Sequence, residues 1–543
     1  MFSVVIPTRA RPDTLRHALK TVVAQDEQDL EIIVHESGDD PATASVLAEF
    51  DDPRLRSFKT GEPVPMTENW ERALRCATGE YLFFLGDDDG LLPQACTIAR
   101  RILERHSAEL LSWQPAQYFW PDYFETDERD RMSSIHGSDL QCTLKNSRAT
   151  LHSTYRFRQY YIELPMLYNS FVARTVIERV YVSRGRYFAG SMPDVVSGVI
   201  NLCYSSQYLR CNRPLSLSGV SRHSTGHVFF RGKPESHFDA ISRILGQIQV
   251  HPTMVYSHLL ALGIGNELLN LKEELFPEGE PEVDYAAMLH EAVQSLNHIP
   301  GLYDQGLAHC RRVAEKNNIS IDEKEVPPPG PRPPRPRVGR HETGPGTILH
   351  TVDARSSGVA NVFDATRLLH RLLPGPALDA FQVNVEPTPI EVVSLDTSAP
   401  ITLDFSSSGN AALLLGLGWS GIENWGVWSV GPHSQVTLPL VGKFRGSLRF
   451  AIHGQIFHPP RTLRVRIEDG ATVLFEREVC VTAGDVALES LPIAVSLTDS
   501  SKKLRIVFTI DHCSSPAEMG LSDDIRKLGF GLHRIDIFAE SKQ

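Results

Sequence analysis

Glu80-Tyr81-Leu82-Phe83-Phe84-Leu85-Gly86-Asp87-Asp88-Asp89 decides the fold. The unbroken apolar run Tyr81–Leu85 has the length of a strand buried on both faces, and it leads straight into three adjacent carboxylates. Open α/β sheets bind ligands beyond the carboxyl ends of their strands, so these acids stand where a site belongs. Three neighbouring negative charges repel unless a cation or hydrogen-bond donors compensate them. A hard divalent cation, Mg²⁺ or Mn²⁺, prefers such oxygens and bridges readily to phosphate. The other reading is an acidic surface turn into the helix expected over Pro93–His106, where Asp is a favoured cap. The triplet alone does not choose between them.

The flanking sequence does. Phe2–Ile6 and Leu30–Val34 are short β-branched runs fit for buried parallel strands, and Leu55–Phe58 is a third. Between them Pro12-Asp13 and Asp40-Pro41 open helices, and Leu15, Ala18, Leu19, Val22 and Val23 share one helical face. Thr67 is expected to cap a helix carrying Trp70, Ala73 and Leu74, with Gly79 at its C′ position. This alternation of strand and helix predicts a parallel α/β sheet. Three strand ends then meet at one edge: Pro7-Thr8-Arg9-Ala10-Arg11, His35-Glu36-Ser37-Gly38-Asp39-Asp40, and Asp87–Asp89. Together they offer donors for phosphate and ribose and acceptors for a base and a metal.

The chain has 543 residues, about three to four domains at roughly 150 residues each. Apolar residues make up 41% and charged ones 22%, which excludes a mostly disordered chain. A net charge of −12 argues against nucleic-acid binding, which needs clustered cations. No run approaches a membrane span, and the N-terminus does not read as a signal peptide. The eight cysteines lack a CxxC pair and read as reduced thiols. No internal repeat is evident. The Pro/Gly-rich stretch 326–346 reads as an extended linker, with a ligand for a proline-recognising module as the rarer alternative. Before it, patterns from 236 to 325 are helical. After it, regular short period-two runs, Ile401–Phe405 to Arg534–Phe538, suggest an antiparallel β-sandwich or jelly roll. The expected domains are therefore 1–235, 236–325, the linker 326–346, and 347–543.

The segments VVIPTRARPDTLRHALKTVVAQ, LEIIVHESGDD and TENWERALRCATGEYLFFLGDDDGLLP resemble the nucleotide-binding half of family 2 glycosyltransferases with the GT-A fold. The likeness is close over residues 1–110 and looser to about 220. It implies transfer of a sugar from a nucleoside-diphosphate donor with inversion at the anomeric carbon. By this resemblance Pro7, Thr8 and Arg11 line the nucleotide pocket, and Glu36 takes the place of a base-contacting Asp. Asp87 faces the ribose or the metal, and Asp88 is the principal ligand of a divalent cation. Gly86 departs from the D-x-D-D form, so Asp88 pairs with either Asp89 or Asp87.

Inverting displacement also needs a base to take the acceptor hydroxyl's proton. Asp194 in Ser191-Met192-Pro193-Asp194-Val195-Val196 opens a helix with a buried stripe and resembles the family's acidic base motif. Its plain reading is a first-turn Asp complementing the helix dipole, a place expected to depress its pKa. His223 is a candidate third metal ligand by the same resemblance, Arg222 a phosphate contact. Acceptor recognition is expected among the aromatics Trp113, Tyr118, Phe119, Trp120, Tyr123, Phe124, Tyr155, Tyr160 and Tyr161, which equally suit a core. Trp70 reads as packing.

The GxGxxG of Gly416–Gly421 is not followed by a helix and is rejected as a dinucleotide site. Trp419, Trp425 and Trp428 suit either a carbohydrate platform or a sandwich core. Ser522–Gly529 resembles β-sandwich domains appended to bacterial polysaccharide glycosyltransferases. The resemblance thus implies a metal-dependent, cytoplasmic enzyme of surface polysaccharide synthesis. Its partners would be a nucleotide sugar and a glycan or lipid-linked acceptor, and peripheral docking at the inner membrane face stays open. A nucleotidyltransferase would want a glycine-rich loop where Pro7–Pro12 has none. The alternative is an inactive transferase-like scaffold whose sandwich binds carbohydrate.

Overall fold

In the computed structural model, described residues are all except 107, 225–247, 277–280, 332–334, 336, 345, 377–381, 386–389, 391–392, 396–398, 407–408, 416–418, 424, 431, 471, 498–501, 517, 522–527 and 542–543. Gly416–Gly418, Asn424, Ser522–Lys527 and the expected 235/236 boundary lie outside them. The chain divides into two units, Met1–Val385 and Glu386–Gln543.

In the first unit β1 (Phe2–Thr8) is buried along its whole length, as is β2 (Leu30–Glu36). Both flank α1 (Pro12–Val23), which starts on Pro12 and buries Leu15, Ala18, Leu19 and Val22. The helix α2 (Pro41–Leu47) is capped by Asp40, whose side chain accepts from the Ala42 amide. Then follow β3 (Leu55–Lys59), α3 (Met66–Cys76), β4 (Tyr81–Phe84), β5 (Gly90–Leu91) and α4 (Ala95–His106). β1 pairs in parallel with β2 and β4, and β2 with β3, so Thr8 lies beside Glu36. Two local expectations shift. α3 begins at Met66, so Thr67 is inside the helix rather than its cap, and Ala77 takes the C-cap in place of a glycine terminator. Gly79 is needed instead for close approach: a Cβ there would lie 2.5 Å from Ser3 Oγ and 2.9 Å from the Met1 carbonyl.

The chain continues through β6 (Leu110–Trp113), β7 (Ala116–Phe119), β8 (Arg131–Gly137) and β9 (Gln141–Asn146), then α5 (Ser147–Tyr155), β10 (Ser170–Ala173), α6 (Arg174–Arg184), α7 (Pro193–Tyr204), β11 (Gln207–Cys211) and β12 (Ser216–Val220). The sheet built on β1 is mixed rather than purely parallel, because β10 inserts antiparallel between β4 and β6. With β13 (Gly339–Gly344), β14 (Thr347–Asp353) and β15 (Gln382–Val385), the orders are β15-β9-β11-β6-β10-β4-β1-β2-β3 and β13-β14-β8-β7-β12-β5. The 236–325 region supplies helices Leu260–Leu275, Tyr285–Gln294 and Tyr303–Lys316. They join α7 in one apolar cluster containing Val195, Val196, Val199, Leu268 and Val313.

The expected domain boundary at 326–346 is corrected to Val385/Glu386. β14 pairs with β8 over seven registered residue pairs, β15 pairs with β9, and the helix Val362–Leu372 buries Val362, Ala365 and Leu369 beside Leu92, Tyr118 and Trp120. Nor is the described part of the proline-rich stretch a free spacer. The Pro327 and Pro328 carbonyls accept from Tyr303 Oη (2.5 Å) and Asn297 Nδ2 (3.0 Å). Arg337 donates to the Asp127 and Arg129 carbonyls. Proline removes donors but leaves every carbonyl able to accept, so the described residues of the stretch are docked through theirs.

The second unit is all β. One sheet holds Val393–Ser394, His433–Val441, Lys502–Ile510, Arg461–Asp469 and Thr472–Val481. The other is built on Phe444–Ile456 against Leu528–Ser541, with Asp485–Glu489 and Ile493–Leu497 on its flank. Between them lies an apolar core including Leu438, Phe450, Val465, Ile506 and Ile535. Trp419 packs on this core, 5.7 Å from Phe508, whereas Trp425 and Trp428 pair with each other at 4.9 Å.

Candidate functional site

The end of β1 and the loop after β4 face each other. Asp87 Oδ2 accepts from Thr8 Oγ1 at 2.7 Å, and Asp87 Oδ1 pairs with Arg11 at 3.1 Å. Asn69 on α3 spans β1 and β2, its amide nitrogen directed at the Thr8 and His35 carbonyls and its oxygen 2.8 Å from His35 Nδ1. Burial pushes the Asp87 carboxyl above its ordinary value even though Arg11 opposes the shift.

Asp89 is committed elsewhere. Its Oδ2 accepts the Gly86 amide at 3.0 Å and its Oδ1 the Gly219 amide at 2.7 Å, so it staples the acidic loop to β12. Burial, then the Asp88 charge, push its carboxyl well up, and Tyr168 donates to it. The departure at Gly86 now has a steric cause: a Cβ there would collide with Asp89 Oδ2. A Cβ on Gly219 would likewise strike the Asp88 carbonyl, which accepts from Trp120 Nε1 at 3.0 Å. The metal role expected of Asp89 is thus replaced by a bracing one.

Asp88 is 6% exposed, and its Oδ2 accepts from Ser221 Oγ (2.8 Å) and Ser224 Oγ (2.5 Å). Among the described residues no group of three or more His, Cys, Asp or Glu side chains is arranged to hold a metal. His223 is exposed and accepts from Arg222 Nε at 2.8 Å, and it does not line the cavity. The expected His223 ligand is therefore not brought to Asp88, and Arg222 turns toward Asp122 (3.4 Å) rather than to a phosphate position. What remains fits a divalent cation held by one protein carboxylate, Asp88. Arg11 is paired with Asp87, and such cations take one or two carboxylates with the rest of the shell from phosphate and water.

One cavity of about 950 Å³ joins these groups to the other end of the site. Pro7, Thr8, Arg11, Ser37 and Asp87–Asp89 line one end, while Tyr160, Tyr161, Asp194, Tyr256 and His258 line the other. Glu36 is buried and accepts the Asp40 amide at 3.0 Å, capping the turn into α2; its neighbour Ser37 reaches the cavity instead. Asp194 sits in the first turn of α7, half-buried. Burial raises its carboxyl above the ordinary value, outweighing the amides of its own turn, which reverses the depression expected of a helix start. Tyr161 sits within range of the Asp194 charge, and burial first of all keeps its phenol protonated.

Of the aromatic candidates, Trp113, Tyr118, Phe119, Trp120, Tyr123 and Tyr155 are core, Phe124 is exposed, and only Tyr160 and Tyr161 reach the cavity. Trp70 packs on Phe84 and Phe188 and also touches the cavity wall. Sequence reasoning missed Ser221, Ser224, Tyr168 and Gly219. The hydroxyls of Ser221 and Ser224 lie 133 and 136 residues from Asp88, and the Gly219 amide 130 from Asp89, with no shared pattern.

No helix among the described residues is long and apolar enough to cross a membrane. Residues 3–168 match the model of glycosyl transferase family 2. Over 100 residues the chain is 38% identical to the Campylobacter jejuni GalNAc(5)-diNAcBac-PP-undecaprenol beta-1,3-glucosyltransferase, covering 17% of this chain and 31% of that protein. The match thus spans about a third of that relative's length. Looser likenesses link the chain to Staphylococcus aureus TarS 1–349 in complex with UDP-GlcNAc (12% identity, 58% of this chain, 88% of that one, TM-score 0.32). A second is the mannosyltransferase PcManGT from Pyrobaculum calidifontis with GDP-Man and Mn²⁺ (15% identity, 58% and 86%, TM-score 0.31). The matched segment runs from β1 through the acidic loop to Tyr168, so the likeness to glycosyl transferase family 2 is carried by residues 3–168 of the first unit.

Proposed function

We propose that this chain transfers a sugar, with inversion, from a nucleoside-diphosphate donor to a hydroxyl of a glycan or lipid-linked glycan. The observation that carries this reading is the single cavity with Thr8, Arg11, Asp87 and Asp88 at one end and Asp194 at the other. The donor's nucleotide lies against Pro7, Thr8, Ser37 and Asp87, with Arg11 close enough to share the diphosphate charge. A divalent cation, Mn²⁺ or Mg²⁺, held by Asp88 would stabilise the departing diphosphate as a Lewis acid. Asp194 accepts the proton of the acceptor hydroxyl while that oxygen attacks the anomeric carbon from the side opposite the diphosphate. A new C–O bond forms as the sugar–phosphate bond breaks, and the proton ends on Asp194. Burial makes Asp194 a better base than a solvated Asp, because the protonated product is the form the site prefers.

Tyr160, which is 54% exposed, and Tyr161 offer ring faces on the acceptor side. A lipid-linked acceptor fits a cytoplasmic enzyme working at the inner membrane face in surface polysaccharide synthesis. Thermal shift against a panel of nucleotide sugars, with and without Mn²⁺, tests the reading. A metal-enhanced rise with one nucleotide class is expected, and no response to any of them would sink it.

A further inference from the structure

Glu267 is a buried carboxylate that the reaction as described does not use. It lies on the helix Leu260–Leu275, in a stretch whose neighbours Ile264, Leu268 and Leu271 are buried, and is itself only 3% exposed. A carboxylate in such a place is costly unless donors meet it. Two do, and both come from one residue: Glu267 Oε1 accepts from Ser191 N at 3.2 Å and from Ser191 Oγ at 2.5 Å. The preceding Gly190 is left-handed at φ +67°, and a Cβ on it would collide with Glu267 Oε2. On the other side the Gly190 carbonyl accepts from Thr67 Oγ1 of α3 at 2.9 Å. The turn Gly190–Met192 is therefore gripped from two elements, and α7 begins on the very next residue, Pro193, with Asp194 behind it. Ser191, Met192, Asp194 and Asn266 all line the cavity.

We infer that Glu267 is a positioning residue for Asp194: from the helical extension it fixes the turn that sets where α7 starts, and hence where the Asp194 carboxylate stands. The inference rests on the reading of Asp194 as the base. It makes the 260–275 helix part of the transfer machinery rather than a scaffold beside it. Gln at 267 keeps an oxygen acceptor for the Ser191 amide and hydroxyl, whereas Ala removes it.

The test compares E267A, E267Q and D194N in the full chain, by amide hydrogen exchange at Ser191 and by steady-state transfer. E267A should release Ser191 exchange and lower kcat about tenfold to a hundredfold, the cost of misplacing a reacting group by about an ångström, with donor Kd unchanged. E267Q should restore most of both. Unchanged Ser191 protection in E267A, or released protection with kcat intact, overturns the inference. If E267A does not fold, S191A carries the same comparison by deleting the hydroxyl donor alone. Its exchange and kcat should move together, and unaltered kcat overturns the inference. Failure of the base reading shows separately, as a D194N variant that transfers normally.

Discussion

The two ends of the cavity hold their carboxylates in opposite ways. At the donor end each acid is answered by donors from other parts of the fold, although burial still raises Asp87 and Asp89: Asp87 by Thr8 and Arg11, Asp88 by Ser221 and Ser224, Asp89 by the Gly86 and Gly219 amides. At the acceptor end, among the described residues, Asp194 has the amides of its own turn to set against burial. Compensated charge suits binding, since it is prearranged and costs little reorganisation when a ligand arrives. Poorly compensated charge suits proton transfer, since the site gains when the group becomes neutral. The division of labour in one cavity is therefore electrostatic before it is chemical.

The largest test breaks the acceptor end alone. Removing a positioned base typically costs about 10²- to 10⁴-fold, so D194N should lose transfer on that scale while nucleotide-sugar Kd stays near the parent value. In the parent enzyme transfer should climb with pH through the Asp194 pKa, which lies above the ordinary carboxylate value, because only the ionised form accepts a proton. D194N should lack that acid limb. A pH profile identical in both would remove Asp194 from the reaction.

Next comes the donor end. D88A should abolish donor hydrolysis and transfer together, a fall of about 10³-fold in kcat, and should also erase any Mn²⁺-dependent thermal shift with nucleotide sugar. Retention of that metal response would assign the cation elsewhere. R11A is smaller. It leaves Asp87 buried with Thr8 as its remaining described partner and should weaken donor binding about tenfold, the scale of a charged hydrogen bond, with little change in kcat. Isothermal titration with the nucleoside diphosphate alone reads this directly.

How much of this could be read from the residues follows the same split. The strand–helix rhythm from Phe2 to Leu85 and the triplet that ends it are local patterns, and the structure keeps them. What answers the triplet is not local: Ser221 and Ser224 are hydroxyls in a turn, without periodicity, that meet Asp88 only once β12 has folded back beside β5. Glu267 was hidden for another reason. An acid inside an amphipathic helix ordinarily marks the solvated face, and the folded contacts with Ser191 and Gly190 show that this one points inward. The proline-rich stretch misled because composition reports what a segment cannot donate, not what its carbonyls can accept. Residues 347–385 were placed in the second unit on that account, although β14 and β15 complete sheets of the first.

The close packing behind the donor end gives a further prediction. A methyl at Gly219 would meet the Asp88 carbonyl backbone and the Trp120 indole, and neither can retreat without moving β12 or β7. G219A should therefore cost about 1–3 kcal/mol of stability, the scale of an overpacked core. It should also weaken donor binding through the displaced acidic loop. Chemical denaturation and donor titration on one preparation would show both, and stability lost with affinity intact would separate the loop from the binding site.

The smallest effect is the most direct measure of the contrast. Burial raises the Asp194 carboxyl above its ordinary value of 3.8, so the folded chain holds that proton more tightly than the unfolded chain does. The stability linked to protonation is complete below the unfolded value and is lost as pH rises through the folded one. At neutral pH the parent enzyme thus folds with an ionised carboxylate its surroundings disfavour. D194N should melt slightly above the parent at pH 7 to 8, and the gap should close below pH 4. A D194N variant that melts no higher than the parent at pH 7 to 8 would remove the poorly compensated charge from the acceptor end.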